Sequence, residues 1–453
     1  MDLDLELYTD QLTQLVDKGN YEAAGALLAE LPNPDIAEVL VELDIEAARR
    51  IMLGLPAKQQ ASVFGYLRPA NQAQMAAGMS RRQLAALFEL MDHDERADLY
   101  NRLSDSERWA VLPGLAHAER EDIRQLASYS EDTVGSIMTS AYVTLRPDQT
   151  AGQALDSIRL EAPDVETIYQ SYVVESDRRL VGTISLRDLL LANPSARLRN
   201  LMIKDVIRSR ASAPKVEAAR LIARYDILAV PVVNDDDQMV GIVTHDDALD
   251  VTEDESTADQ HRLGAVARLT TSLSESTITS LYRTRVGWLV ILIFGNVFSG
   301  ASIAHFEDLI ARIVSLVFFL PLLIDSGGNA GSQSSTLMVR ALATEDVRGR
   351  DWFRLLGKEL LVSLLLGLTM AAAVSLLGFW RGGLSVALIV SITMILIVTV
   401  GSVIGMSLPF LLTRFKLDPA SASAPLVTTI CDGVGVLIYF NVASAVLNLP
   451  PTT

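Results

Sequence analysis

One acidic residue lies in the middle of an apolar stretch near the carboxyl end of the chain. Asp432 is the only charged residue in 424–447, a stretch long enough to cross a bilayer as a helix. A charge at a bilayer centre costs about 2.5–3.5 kcal/mol on insertion scales, so such an acid usually faces a cavity, a partner or an ion. The alternative is a protonated packing residue. We interpret Asp432 as a carboxylate that attracts a cation.

A second polar run lies inside another apolar stretch, 313–339. Glycine, proline and amide residues within a span unwind or thin a helix, which is tolerated where the freed carbonyl groups face protein or water. Such oxygen atoms suit hard divalent cations, and Mg2+ in particular keeps much of its water. Close helix packing explains the glycines, but it does not explain two acids beside amides. We therefore predict a cation pathway lined by Asp325, Gly328, Asn329, Gln333 and Asp432.

The apolar stretches and their flanks predict a multi-pass protein of the cell inner (plasma) membrane, surrounded by lipid. Spanning the hydrocarbon core takes about 20 helical residues. Five stretches are long enough: 286–304, 313–339, 360–379, 384–412 and 424–447. Basic residues are concentrated before the first stretch, between the second and third, and between the fourth and fifth, whereas the opposite loops hold only Arg312 and Arg381. The positive-inside rule places the amino terminus in the cytoplasm and the carboxyl terminus outside.

The part of the chain before these stretches is strongly acidic. Up to residue 277 it holds 46 of the 55 acidic residues but only 27 of the 38 basic ones. Such a surface attracts cations and repels nucleic acid, so we expect no nucleic-acid partner. The amino terminus has neither a basic nor an apolar segment typical of a cleaved signal. The single cysteine, Cys431, permits no intrachain disulfide and suits a reducing compartment.

An apolar residue recurs every 12 positions in the amino-terminal part. The repeat occupies Leu31, Leu43, Leu55, Leu67, Met79, Met91, Leu103 and Leu115. Helical spacing between these positions, with breakers or caps such as Pro32, Pro56 and Ser80, predicts short helices that stack into a small superhelix. The segment offers no nucleophile, general base or phosphate loop. We interpret it as a scaffold or sensor.

Two segments further along share another pattern, with Gly182 and Gly241 lying 59 positions apart. Each reads strand, polar turn, strand and then a helix capped by Ser185 or Thr244. The pair resembles tandem CBS domains, a regulatory module that often holds adenine nucleotides between its copies. That resemblance implies a weak candidate site for ATP at Arg187 and Asp188. Gln170 stands where some ATP-binding relatives have an aromatic residue.

The whole chain, taken in order, resembles the MgtE family of magnesium channels and transporters. The predicted fold is multi-domain: an all-α superhelical domain (1–130), an α/β tandem CBS pair (131–251), a connecting (plug) helix (252–283) and an α transmembrane pore domain with five spans (284–453). A solvated linker is the alternative for the connecting helix, since charge runs are usually solvated.

The resemblance implies a homodimer whose second and fifth spans line a pore, with Asp432 contacting a hydrated Mg2+ that is both substrate and regulator. It also implies that cytosolic Mg2+ bridges acids of separate domains and holds the pore shut. The matching positions are Asp94 and Asp98 in the superhelix, Asp226, Asp247 and Asp250 in the CBS pair, Glu255 and Asp259 in the connecting helix, and Asp418 before the fifth span.

Departures from the family pattern and three other functions bear on this prediction. Ser332 and Ala424 stand where some relatives have Asn, and Val216 stands where some have an acid. A transporter of Mn2+ or Co2+ is one alternative, although no His, Cys or Met cluster favours softer ions. An intramembrane aspartyl protease is another, because two membrane acids can share a proton. A sensor without transport is the third. The prediction is a Mg2+ transporter, not an enzyme.

Overall fold

The computed structural model describes residues 2–267, 269, 273, 276–344 and 346–447. The chain forms two compact units, Met1–Asp254 and Glu255–Thr453. Among these residues, ten α-helices of the first unit come before its first strand: α1 Asp2–Asp17, α2 Tyr21–Leu28, α3 Asn33–Val41, α4 Ile45–Gly54, α5 Ala57–Gly65, α6 Pro69–Ala77, α7 Arg81–Leu90, α8 His93–Arg102, α9 Asp105–Val111 and α10 His117–Leu126.

Helices α3 to α10 begin at every twelfth residue, which follows from the apolar repeat of the sequence. The repeated apolar residue lies just before each helix, where Leu55, Leu67 and Met91 are buried. Each helix packs mainly against the second one along the chain, so that successive turns of the stack bury a continuous core. Ser80 caps α7 through a reciprocal hydrogen-bond pair with Gln83. The predicted superhelix of short helices is confirmed.

Two three-stranded sheets follow, and they have the same topology. Their elements are β1 Tyr142–Leu145, α11 Ala151–Glu161, β2 Thr167–Val174, β3 Leu180–Ser185, α12 Leu186–Leu191 and α13 Leu198–Leu201, then β4 Ser209–Arg210, α14 Lys215–Tyr225, β5 Ala229–Val233, β6 Met239–Thr244 and α15 His245–Leu263. In each sheet the middle strand pairs parallel to the first and antiparallel to the third. A register shift follows Val173 in one sheet and Val232 in the other. The two sheets of the predicted tandem repeat therefore share this irregularity in strand pairing.

The predicted connecting helix, 252–283, is only partly described. Helix α15 begins earlier than predicted, at His245, directly after β6, and it ends at Leu263. Ala265 then adopts a left-handed backbone conformation with φ 55°, which an α-helix cannot continue. Residues 268, 270–272, 274 and 275 lie outside the described residues, and the next helix begins at Ile278.

Where the structure describes it, the second unit is built from four long apolar helices and one short helix. These are α16 Ile278–His305, α17 Glu307–Arg312, α18 Ser315–Ala343, α19 Trp352–Arg414 and α20 Ala424–Val446. Gly383, with φ 73°, breaks α19 into two arms. Among the described residues, three helical segments are long and apolar enough to cross a membrane: Ile278–His305, Gly349–Arg414 and Ala424–Val446. Helix α18 spans 29 residues, and the polar run lies inside it.

Helix α18 lies at the centre of this unit, packed against both α19 and α20. Glycines allow the close approach to α19, because a Cβ at Gly331 would lie 2.7 Å from the carbonyl oxygen of Gly401 and one at Gly405 would meet the carbonyl oxygen of Gly331. On the α20 side, the hydroxyl of Tyr439 donates to the Leu316 carbonyl at 2.9 Å, and Tyr439 is fully buried. The face of α18 that contacts neither α19 nor α20 remains exposed in the single chain.

Candidate functional site

The free face of α18 carries the polar side chains predicted to line a pathway. Asp325, Asn329 and Gln333 are exposed and follow one another at intervals of four residues, so they form a row along the helix. The side-chain amide of Asn329 donates to Oδ2 of Asp325 at 3.0 Å. Beside the row, the hydroxyl of Ser332 lies 3.4 Å from that of Thr428 on α20. The row therefore presents oxygen atoms from an acid, amides and hydroxyls.

A cavity of about 320 Å³ opens between α18 and α20 at one end of this row. Its walls are formed by Leu320, Pro321, Ile324, Asp325, Thr428 and Asp432. Asp432 is half-buried and lies one helical turn after Thr428. The structure thus brings together the two carboxylates, Asp325 and Asp432, that the sequence analysis singled out on separate apolar stretches.

The backbone of α18 differs from the sequence-based expectation. The helix continues without unwinding through Pro321 and the glycine-rich run. Its carbonyl groups therefore accept helical hydrogen bonds, apart from that of Val317, because Pro321 has no N–H to donate. Gly328 is buried, and a Cβ there would lie 2.9 Å from Cγ2 of Thr428. Gly328 therefore permits the close approach of α20, and the exposed oxygen atoms on this face belong to side chains.

The donor atoms on this face favour a hydrated, hard cation. Cys431 is buried, and its Sγ lies 4.0 Å from the Gly401 carbonyl oxygen of α19, whereas the cavity lies between α18 and α20. Within the part of the chain that the structure describes, no group of three or more His, Cys, Asp or Glu side chains has the spacing to hold a bare metal ion. An oxygen-only surface with two carboxylates fits Mg2+, which keeps several waters and needs few direct protein ligands.

In the first unit, four acids gather where α8 meets the sheet region. Asp94 and Glu95 lie in the first turn of α8, Glu166 precedes β2, and Asp247 lies in the first turn of α15. Burial, reinforced by neighbouring carboxylates, raises the pKa of Asp94 to about 6 and the pKa values of Glu95, Glu166 and Asp247 to about 8. Asp247 also accepts a hydrogen bond from the Thr244 hydroxyl at 2.6 Å. Near neutral pH Glu95, Glu166 and Asp247 therefore retain their protons, whereas Asp94 is mostly ionised.

The other acids predicted in the first unit have different surroundings. Asp98 accepts a hydrogen bond from Arg102 at 3.1 Å. Asp226 is exposed at the carboxyl end of α14, where its φ of 52° terminates the helix. Asp250 lies largely exposed on α15, where partial desolvation of its carboxylate and the nearby charge of Asp246 raise its pKa. Of the predicted acids in this unit, the structure brings together Asp94 and Asp247.

The predicted acids of the second unit surround one arginine. Nη1 of Arg262 lies 2.9 Å from Oδ2 of Asp418, 3.0 Å from Oδ1 of Asp259 and 3.5 Å from Oε1 of Glu255. Burial and the other two carboxylates raise the pKa of Asp259, and Arg262 opposes this shift. The structure therefore brings all three predicted carboxylates together, with a cation of the chain itself among them.

The candidate nucleotide residues lie at the start of α12. Arg187 and Asp188 are exposed, and the Ser185 hydroxyl caps the helix by accepting from the Asp188 backbone N–H at 3.0 Å. The side-chain amide of Gln170 donates to the hydroxyl of Thr183 on the neighbouring strand. Arg187 and Asp188 are therefore accessible to a ligand, whereas the side-chain amide of Gln170 already forms a hydrogen bond within the sheet.

Four residues of these sites were missed by the sequence analysis. Glu95 continues the acidic run that includes Asp94, which was the available signal, whereas Glu166 is an isolated acid without a local pattern. Arg262 is the only Lys or Arg in the acidic helix α15. Glu359, near the start of α19, accepts a hydrogen bond from the Ser334 hydroxyl of α18. An acid beside an apolar stretch was a visible but unused signal.

Comparisons with known proteins agree along the length of the chain. Residues 320–442 match the model of the MgtE divalent cation transporter, residues 31–132 the MgtE intracellular N domain, and residues 134–194 and 198–254 the CBS domain. The chain is similar to the magnesium transporter MgtE of Thermus thermophilus, with 44% identity over 71% of this chain and 72% of that protein. It is also similar to magnesium transporter MgtE of Bacillus subtilis, with 34% identity over 71% of both chains.

Solved structures give the same result for the first unit. The crystal structure of the soluble part of a magnesium transporter matches 56% of this chain and 99% of its own, with a TM-score of 0.51 and 30% identity. The cytosolic domain of the Mg2+ channel MgtE in complex with ATP matches 54% of this chain and 99% of its own, with a TM-score of 0.51 and 34% identity. From these similarities over most of its length, the chain belongs to the MgtE family of divalent cation transporters, which are not enzymes.

Proposed function

We propose that this protein is a channel or transporter that moves Mg2+ along the face formed by α18 and α20. The observation that carries the proposal is the cavity in which Asp325 and Asp432 meet, beside the row of Asn329 and Gln333. Two carboxylates concentrate a divalent cation, while amide and hydroxyl oxygens hydrogen-bond its water shell. The magnesium transporters that the chain resembles support Mg2+ as the substrate.

The polar face of α18 also supports a homodimer. Asp325, Asn329 and Gln333 are exposed in the single chain, although they lie on a helix of the apolar unit. Acid and amide side chains facing lipid are costly, so membrane proteins place them toward a protein interior or a water-filled cavity. A second copy related by two-fold symmetry would cover this face with the same face and enclose an aqueous pathway between them.

Regulation by cytosolic Mg2+ is the second part of the proposal. The acids predicted to bind regulatory ions include the Asp94–Asp247 group in one unit and Glu255, Asp259 and Asp418 in the other. Gathered carboxylates repel one another, so a state that brings them together is stabilised by bound cations. If the closed state binds more Mg2+ than the open state, rising cytosolic Mg2+ closes the pore by linkage.

The proposed location is the cell inner membrane, with the amino-terminal unit in the cytoplasm and the carboxyl terminus outside. The support is the distribution of basic residues: Arg340, Arg348 and Arg414 lie in the basic loops that the positive-inside rule assigns to the cytoplasm, whereas the opposite loops hold only Arg312 and Arg381. The acidic unit then faces the compartment whose Mg2+ it would sense.

ATP is proposed as a ligand of the CBS pair at Arg187 and Asp188. Support comes from the related cytosolic domain solved in complex with ATP and from the exposure of both side chains. Titration of the full chain and of Asp188→Asn with ATP tests this part, and equal affinities would exclude Asp188 from the site.

Flux into liposomes tests the pathway. We expect Asp432→Ala to abolish Mg2+ uptake and Asp432→Asn to reduce it less, because the amide keeps an oxygen for the water shell but removes the charge. Asp308→Asn, which removes an exposed acid on α17 of the same unit, is the matched control. Wild-type flux in Asp432→Ala would contradict the pathway. Equal uptake of Mn2+ or Co2+ in competition would contradict Mg2+ selectivity.

A further inference from the structure

The guanidinium group of Arg262 joins the end of α15 to the turn before α20. One nitrogen of Arg262, Nη1, lies within 3.5 Å of carboxylate oxygens of Glu255, Asp259 and Asp418. Glu255 and Asp259 lie on α15 itself, one turn apart, whereas Asp418 belongs to the turn that leads into α20. Arg262 therefore links two elements that are distant in sequence.

Asp418 uses its two oxygens for different purposes. Oδ1 accepts a hydrogen bond from the Ala420 backbone N–H at 2.8 Å and caps the short turn before α20, while Oδ2 faces Arg262 at 2.9 Å. The residue after Arg262, Leu263, packs against buried Val339 of α18 and against Ala420 and Ala422. The ion pairs thus lie beside an apolar contact, and both hold the end of α15 at the start of the helix that carries Asp432.

The three carboxylates at this junction favour a cation between them, which can be a metal ion or a positively charged side chain. Three carboxylates in one place repel one another unless a positive charge lies between them. A guanidinium remains charged at all accessible pH values and can contact several carboxylate oxygens at once. Because Arg262 is part of α15, its effective concentration at the site is in the millimolar range or above, and it does not dissociate into solution. It can therefore compete with free Mg2+ at millimolar concentration.

We propose that Arg262 is a built-in counter-ion that takes the place of Mg2+ at the carboxylates of Glu255, Asp259 and Asp418, so that this junction stays joined without metal. The inference rests on the proposed regulation and restricts it, because closure that depends on bound Mg2+ is then assigned to the Asp94–Asp247 group and not to these three carboxylates. Its test measures the junction and not transport, so that failure here and failure of the proposed regulation are distinguishable.

The test is hydrogen exchange of the full chain in detergent, followed in the amides of 257–267 with Mg2+ chelated and with millimolar Mg2+. In the wild type we expect equal protection in the two conditions. In Arg262→Gln we expect exchange to become about tenfold faster without Mg2+ and to return toward the wild-type rate when Mg2+ is added. Arg262→Lys keeps the charge and should retain most of the protection.

A matched control separates this role from a general loss of charge. Arg414→Gln removes an exposed arginine of the same unit, and it should exchange like the wild type. Unchanged exchange in α18 and α20 shows that Arg262→Gln is folded. The proposal is overturned if the wild-type junction needs Mg2+ for its protection, if Arg262→Gln is as protected as the wild type without Mg2+, or if Mg2+ does not restore the variant.

Discussion

Binding of Mg2+ to the acids of the first unit should release protons. The perturbation is the addition of Mg2+ at neutral pH to the full chain. Glu95 and Asp247 both have pKa values of about 8, because they are buried beside other carboxylates. At pH 7 a group with such a pKa is about nine-tenths protonated. Because Glu166 is exposed at the edge of the group, we assign the metal contacts to Glu95 and Asp247 and expect the release of about two protons per chain.

Calorimetric titration in buffers of different ionisation enthalpy measures this release. If about two protons are released, the apparent Mg2+ affinity should increase about a hundredfold for each unit by which the pH is raised toward 8. Above pH 8 the affinity should level off. Asp247→Asn should release about one proton fewer. Glu121→Gln, which alters an exposed acid of α10 paired with Arg124, should leave the release unchanged. Heats that do not depend on the buffer would refute the reasoning, because the acids would then be ionised before Mg2+ binds.

The same pKa shifts predict how stability changes with pH. In the folded chain the pKa values of Glu95 and Asp247 are about 8, well above the ordinary carboxyl value near 4. The stability that these two groups contribute is therefore fully present below about pH 4 and is lost as the pH rises through about 8. Without Mg2+, thermal unfolding of the first unit should therefore occur at lower temperature near pH 9 than near pH 6. Millimolar Mg2+ should reverse most of that loss by binding the ionised group. A melting temperature that falls equally with and without Mg2+ would contradict this.

Two further predictions concern the packing of α18. A Cβ at Gly405 would meet the backbone carbonyl of Gly331, so Gly405→Ala should destabilise the second unit by about 1–3 kcal/mol in thermal unfolding, whereas Gly300→Ala, with open space around it, should not; equal stability would contradict the close approach. Glu359→Ala should lower stability by about 1 kcal/mol because the Ser334 hydroxyl loses its acceptor, whereas Glu359→Gln, which keeps an acceptor, should stay close to the wild type. Equal losses in the two Glu359 variants would assign the effect to packing instead of the hydrogen bond.

The helical repeat could be predicted closely because its signal is local. An apolar residue every 12 positions, followed by a cap or breaker, sets where each helix begins, and the eight helices from α3 to α10 follow that interval. The two sheets were predictable for a similar reason, since the 59-residue offset between Gly182 and Gly241 repeats the same strand pattern. Local periodicity and capping act between near neighbours, so they can be read without a structure.

The state of α18 and the surroundings of the acids could not be predicted in the same way. The glycine-rich run was compatible with an unwound segment or with close packing, and only the contact between Gly331 and Gly401 decided for packing. Glu166 and Asp247 are far apart in sequence, and each is an ordinary acid until folding brings it near Asp94. Arg262 likewise gives no sign in the sequence that Asp418 lies 2.9 Å away.

The sequence by itself determined the order of the domains, the positions of the short helices and the isolation of Asp432 in an apolar stretch, because these depend on hydrophobic pattern and on neighbouring residues. The tertiary structure alone decided which carboxylates share a cavity, which retain protons and which are neutralised by Arg262. Those properties depend on burial and on distances through space between side chains, and electrostatic interactions change steeply with both.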